Sequence, residues 1–466
     1  LTFEPGTPHN VVVHKVVLLN AVGLTPRLIG KHTPVLTRMV ERGGLTPLQP
    51  PIPAVTCTVQ ASMLTGVGPG EHGIVGNGWY FRDTAEVRFW QQSASLLQIP
   101  RVWTLAKARD PGFTCANLFW WHAMYSGTDV TVTPRPIYHA DGRKTPDIWT
   151  APPKLRQTLQ QKLGQFPLFK FWGPGTSIDS TRWIADAAIE SDRLHDCTLT
   201  LVYLPHLDYC LQRDGPEWSG LPQHLAELDR EIDKLEAHFE AQGARCLVVS
   251  EYGITPVRRV ILPNLLLRRA GLLSLRDEAG RDMLDAGASR AFAVVDHQLA
   301  HIYVRDSADV ARVVKLLEAE PGVARVFTGT SRGAVGLEHP RAGEVIAISE
   351  PDAWFAWNTW EDSRRAPDFA RTVDIHRKPG YDPCELFIDP RFRLPRLSIG
   401  WRLLRRKLGF RSLLDVIPLD PTLVRGSHGA LPILDDDAPV LIGAGTGPRR
   451  PAQDIRDVLL SAIFGE

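Results

Sequence analysis

The run VVVHKVVLLNAVGL (residues 11–24) limits the fold more than any other segment of the chain. It is almost continuously aliphatic and ends in Gly23. A strand with one wet face alternates polar and apolar residues, whereas a strand buried on both faces does not. Such a strand needs a covering layer on each side, and helices between parallel strands supply it. TLTLVYLPHLDY (198–209) and RCLVVSEYGI (245–254) repeat the pattern. HTPVLTRMVERGGL (32–45) and LPQHLAELDREIDKLEAHFEAQG (221–243) have helical spacing and glycine stops. The expectation is an α/β fold built on a mostly parallel sheet flanked by helices. Polar residues at its carboxyl strand ends then gather at one edge, the usual place for a site.

With 466 residues the chain has room for two or three domains at roughly 150 residues each. A net charge of +1 gives no broad pull towards nucleic acid or membrane, so neither is expected as a partner. The basic stretch RLLRRKLGFR (402–411) is the local exception, read as a solvated helix face whose long stems cover apolar surface. Six cysteines (57, 115, 197, 210, 246, 384) form no CxxC pair and sit mostly in apolar runs. They read as small buried residues in a reducing compartment, which points to the cytoplasm. LTFEPGTPHN (1–10) does not read as a signal peptide, but it lacks a starting Met, so an export signal stays open.

The pattern changes after about residue 260. RAFAVVDHQLAHIYV (290–304) reads as one strand, with His297 and His301 on one face, either as paired ligands or as ordinary residues of a half-exposed strand. DVARVVKLLEAEPGV (309–323) is an amphipathic helix and ARVFTG (324–329) a short strand. AGEVIAISEPDAWFAW (342–357) reads as a return to the buried-strand series. These place a small α+β insert at 265–342, between core segments 1–264 and 343–466. Residues 111–195, rich in Trp, Pro and Gly, read as long loops over the sheet edge.

PAVTCTVQASMLTGVGPGEHGIVGN (53–77) sets Thr56 where a helix should begin. A threonine there either caps the helix or uses its positive end for chemistry on an anion. Thr65-Gly66 follows Thr56 by nine residues, His72-Gly73-Ile74 comes next, and Asn77 follows Thr56 by 21. This segment resembles the nucleophile segment of nucleotide pyrophosphatases/phosphodiesterases in the alkaline phosphatase superfamily, and of the related phosphonoacetate hydrolase. The resemblance implies an alkaline-phosphatase-like core with a cap insert. It makes Thr56 the nucleophile, Asn77 a donor to the developing phosphoryl oxygens, and the partner a small phosphorylated substrate.

The family's two zinc ions take an Asp before a Gly on the first strand, an Asp-x-x-x-His, an Asp-His pair and a late His. Here Val22 precedes Gly23, with Asn20 on the same strand face two residues earlier. Asp208 is followed at the fourth position by Gln212, Glu251-Tyr252 replaces the Asp-His pair, and His428 in RGSHGALP supplies the late His. The implied metal set is therefore Asp208, His428, Glu251, Asn20 and Gln212. It has two carboxylates and one imidazole where the family has three of each, which weakens zinc binding. One or two zinc ions, magnesium or manganese, or no metal at all stay open. His206, two residues before Asp208, is a candidate replacement imidazole.

Arg143 and Lys144 in RPIYHADGRKTPD (135–147), and His376 and Lys378 in TVDIHRKPGYDP (372–383), are candidates to grip an anionic substrate. The expected activity is hydrolysis of a phosphodiester, pyrophosphate or related phosphorus ester through Thr56 with metal assistance. The alternatives are a catalytically degenerate relative that binds a phosphorylated small molecule, and a phosphoryl transferase.

Overall fold

The computed structural model describes residues 13–140, 143–410 and 412–466; the N-terminal LTFEPGTPHN lies outside them. The strand Val16–Ala21 is buried along its whole length, as its unbroken aliphatic run requires. It runs parallel to Leu199–Leu204 on one side and Arg245–Val249 on the other. Cys115–Leu118 and Val130–Pro134 extend the parallel set. Val440–Ile442 and Ile148–Ala151 close it with antiparallel pairings, and Leu45–Gln49 and Arg450–Pro451 complete nine strands. Each fully buried Val or Leu here contributes about 1.5–3 kcal/mol relative to exposure. Long helices cover the sheet, among them Ile178–His195 and Leu221–Glu240.

The register fixes the site. Asn20 lies level with Tyr203 on one neighbour and Val249 on the other. The chain therefore leaves three adjacent strands at the same height, carrying Asn20, the 206–214 segment and Glu251-Tyr252 to one edge.

Three expectations need correction. Residues 111–195 are not loops over the edge: they supply three strands of the main sheet and the helices Lys154–Leu163 and Ile178–His195. Those strands have only four or five residues, too few to show a period among Trp, Pro and Gly. Residues 290–304 are not one strand but a hairpin, Ala291–Asp296 and Leu299–Val304, reversing at His297-Gln298. Both strands are buried on both faces and the turn lacks the usual Gly or Asn, so nothing marks it in sequence. The segment 342–357 also does not return to the core sheet. Val345–Ser349 pairs with Leu299–Val304 and Val323–Thr328 in a separate four-stranded antiparallel sheet, not with the core.

Candidate active site

The helix Thr56–Thr65 begins at Thr56, and Val55 occupies the capping position with no side-chain bond to the helix. The Thr56 hydroxyl therefore does not cap. It lies 3.0 Å from the Tyr252 hydroxyl, which in turn donates to Asp208 Oδ1 at 3.1 Å. Tyr252 has one proton and gives it to the carboxyl, so it accepts from Thr56. Asp208 Oδ2 takes a second bond from Gln212 Nε2 at 2.9 Å. Asp208 and Gln212 sit one turn apart on the helix His206–Asp214 and so share a face. The Gln212 oxygen accepts from the Tyr381 hydroxyl at 2.9 Å.

Glu251 Oε1 accepts from Asn20 Nδ2 at 2.5 Å and from Gln60 Nε2 at 2.7 Å. His428 donates from Nδ1 to the Ala54 carbonyl at 2.7 Å, since that oxygen can only accept. Its Nε2 has no hydrogen-bond partner and stands 3.9 Å from Asp208 Oδ1. The structure thus brings Thr56, Asp208, Gln212 and His428 together, with Glu251 and Asn20 beside them.

Sequence reasoning missed Asp296 and Tyr381, saw Tyr252 only as a replaced ligand, and did not place His297 in this cluster. The second sheet's hairpin turn enters the site. Asp296 accepts from the Asn77 backbone N–H at 2.7 Å and from Asn77 Nδ2 at 3.1 Å. The Asn77 oxygen accepts from the Cys57 N–H at 3.0 Å, in the first turn of the Thr56 helix. His297 holds φ +61°, an uncommon conformation for a residue with a Cβ. Its ring lies 3.7 Å from that of Tyr381 and 3.6 Å from that of His428, which stacks on Tyr252 at 3.5 Å. Gly429, at φ +118°, lets the 428 segment approach: a Cβ there would stand 3.0 Å from the Gln298 nitrogen. The Glu-Tyr in place of Asp-His was visible in sequence. The role of Asp296 and His297 was not, because it depends on how two sheets dock.

Burial sets the charges. It pushes Asp208 up to about 7, Asp296 up to about 7 and Glu251 up to about 8. It lowers His428 to about 3 and His297 well below its ordinary value. Thr56 is only 3% exposed.

A pair of zinc ions does not fit these donors. Val22 offers nothing. Tyr252 brings a phenol that burial holds well above its ordinary value, where the family has an imidazole. Glu251 is held by two amides, and Gln212 turns its nitrogen, not its oxygen, to Asp208. Among the described residues, the trio of His, Cys, Asp and Glu whose ligand atoms lie within 4.8 Å of one another is His206, His224 and Glu227. His206 is thus a correction too. It opens a helix instead of ending a strand, so the two-residue period fails and it faces His224 at 3.0 Å.

The proposed anion-gripping residues are engaged in pairs of their own. Lys144 donates to the Val373 carbonyl at 3.1 Å and lies 3.7 Å from Asp374. His376 donates to the Phe89 carbonyl at 3.3 Å. Lys378 is buried between Asp382 at 2.6 Å and Glu385 at 2.7 Å. Arg143 is exposed. Lys378 and Tyr381 both line a shallow depression together with Trp90 and Trp172. All six cysteines are buried and unbridged, as their apolar context suggested.

The fold and the placement of these side chains define an alkaline-phosphatase-like α/β protein with a modified cluster at its strand ends. A family model described as type I phosphodiesterase/nucleotide pyrophosphatase matches residues 16–382, and the chain belongs to that family. No curated protein sequence matches it. Among solved structures it is similar to Sinorhizobium meliloti phosphonoacetate hydrolase in complex with phosphonoacetate (15% identity, 97% of this chain and 96% of the other, TM-score 0.61). It is also similar to human ectonucleotide pyrophosphatase/phosphodiesterase 5 (13%, 96% and 95%, TM-score 0.59). The murine form of the latter, as an inactive threonine-to-alanine variant in complex with AMP, aligns at 12% identity over 96% and 94% with TM-score 0.58. No helix among the described residues is long and apolar enough to cross a membrane.

Proposed function

We propose that the protein hydrolyses a phosphodiester, pyrophosphate or related phosphorus ester with Thr56 as nucleophile. The observation that carries this reading is the bonded series Thr56–Tyr252–Asp208 at 3.0 and 3.1 Å, set at a helix N-terminus. Thr56 attacks phosphorus in line with the leaving oxygen, its proton passes to Tyr252, and the Tyr252 proton passes to Asp208. The positive end of the helix faces the equatorial oxygens. Asn77, held by Asp296, keeps its second amide hydrogen for one of them. Water then cleaves the phosphothreonine. The inactive threonine variant of the murine neighbour supports the assignment by analogy. Asp208 and His428 remain the pair able to hold a single metal ion, which would add Lewis-acid stabilisation.

Thr56→Ala should abolish turnover of an activated aryl phosphodiester, with Thr58→Ala retaining it. Tyr252→Phe should lower kcat about 10²–10⁴-fold, the ordinary worth of a positioned proton carrier. Unchanged turnover in Thr56→Ala would remove the nucleophile. A second reading, a non-hydrolysing binder of a phosphorylated small molecule, is favoured by the Tyr252 phenol and the Gln212 amide, which stand where the family has imidazole ligands. It predicts calorimetric binding of a nucleotide monophosphate with no turnover by the unaltered protein.

A further inference from the structure

The helix Pro395–Lys407 does not behave as the sequence reading expected. Its stems cover the body only in part, at Arg402, and leave a wide apolar face in solvent. One side anchors it: Ile399 packs among Val257, Trp354 and Ile417, and Arg402 donates to Asp415 at 2.6 Å while lying over the Phe392 ring. The opposite side carries Leu394, Leu397, Trp401, Leu404 and Leu408, spaced three and four residues apart. These five side chains are 45–68% exposed. At 100° per residue they form one continuous stripe pointing away from the anchor. A monomeric soluble protein seldom leaves such a stripe in water.

The charge around the stripe selects its occupant. Residues 390–414 hold eight Arg and Lys, of which Arg391 and Arg402 pair with the flanking Asp389 and Asp415, in a chain whose net charge is only +1. Arg405 borders the stripe directly. Two copies of this helix would bring like charges together, which opposes self-association. A nucleic acid would use the cations but leave the leucines and Trp401 wet. An anionic lipid surface uses both: the leucines and indole enter the acyl boundary while the cations reach the headgroups. We infer that the Pro395–Lys407 helix seats the protein on an anionic membrane surface, lying in the interface and not spanning it. The inference is independent of the catalytic reading, since none of these residues touches the Thr56 cluster.

Flotation of the full chain with phosphatidylcholine vesicles, with and without one third phosphatidylglycerol, tests this. The unaltered protein should float with the anionic vesicles and stay in solution with the neutral ones at physiological salt. Replacing three cations, Arg405→Gln/Arg406→Gln/Lys407→Gln, should weaken partitioning about a hundredfold, at about fivefold per cation. Leu397→Glu/Trp401→Glu, at exposed positions, should abolish flotation while leaving the thermal melt and aryl phosphodiester turnover unchanged. Failure of the unaltered protein to float would overturn the inference, as would equal flotation of Leu397→Glu/Trp401→Glu. A stable dimer that this variant dissociates would reassign the stripe to self-association.

Discussion

Two buried acidic clusters lie at either side of Tyr381, and they solve the same problem differently. In one, Lys378 sits between Asp382 and Glu385 and is itself only 1% exposed. Burial opposes its charge, yet the two carboxylates outweigh that and hold the ammonium above its ordinary value. In the other, Asp208, Glu251 and Asp296 have amides and a phenol as partners and, among the described residues, no cation. Burial outweighs their hydrogen bonds, and all three carboxyls are pushed up into the neutral range. The first cluster is a closed ionic network. The second is kept short of positive charge, so its carboxyls are ready to take a proton, or a cation, near neutral pH.

The largest effect should come from opening the closed network. Lys378→Met leaves two buried carboxylates without their ion partner, which costs about 3–5 kcal/mol. Urea denaturation measures it, and a loss below 1 kcal/mol would dissolve the contrast. The pH dependence comes next. Asp208, Glu251 and Asp296 bind protons more tightly folded than unfolded, so the folded state holds more protons between about pH 4, the unfolded carboxyl value, and their folded values of about 7 to 8. Their contribution is therefore complete below about pH 4 and falls as pH rises to about 8. In chelator-treated protein, Glu251→Gln should flatten that decline; an unaltered slope would place the titration elsewhere. The smallest effect should be Asp208→Asn. It keeps an oxygen for Tyr252 and removes a carboxyl with no cation to lose, but it turns an amide to the Gln212 amide, so stability should fall by about 1–3 kcal/mol. A loss as large as that of Lys378→Met would make the two clusters alike after all.

This contrast also marks how far the sequence could be read. Thr56, Asn77, Asp208 and His428 were legible because motif spacing and the ends of buried strands are local properties. The first strand declared its double burial through composition alone. Lys378 was read as a candidate substrate contact because a Lys four residues before an Asp looks the same whether solvated or sealed. Asp296 and His297 were hidden for a different reason. Their place depends on the docking of a second sheet against the first, and no local period encodes it. The 111–195 strands were lost to shortness, each giving less than three full pleats.

The turn at His297 has a kinetic consequence. Asp296 holds the backbone N–H of Asn77 at 2.7 Å, and that bond is one of those joining the second sheet to the Thr56 cluster. Whenever the hairpin withdraws, this amide is released to solvent. Its hydrogen–deuterium exchange rate is therefore a clock for separation of the two bodies, readable without substrate and without knowing what the substrate is.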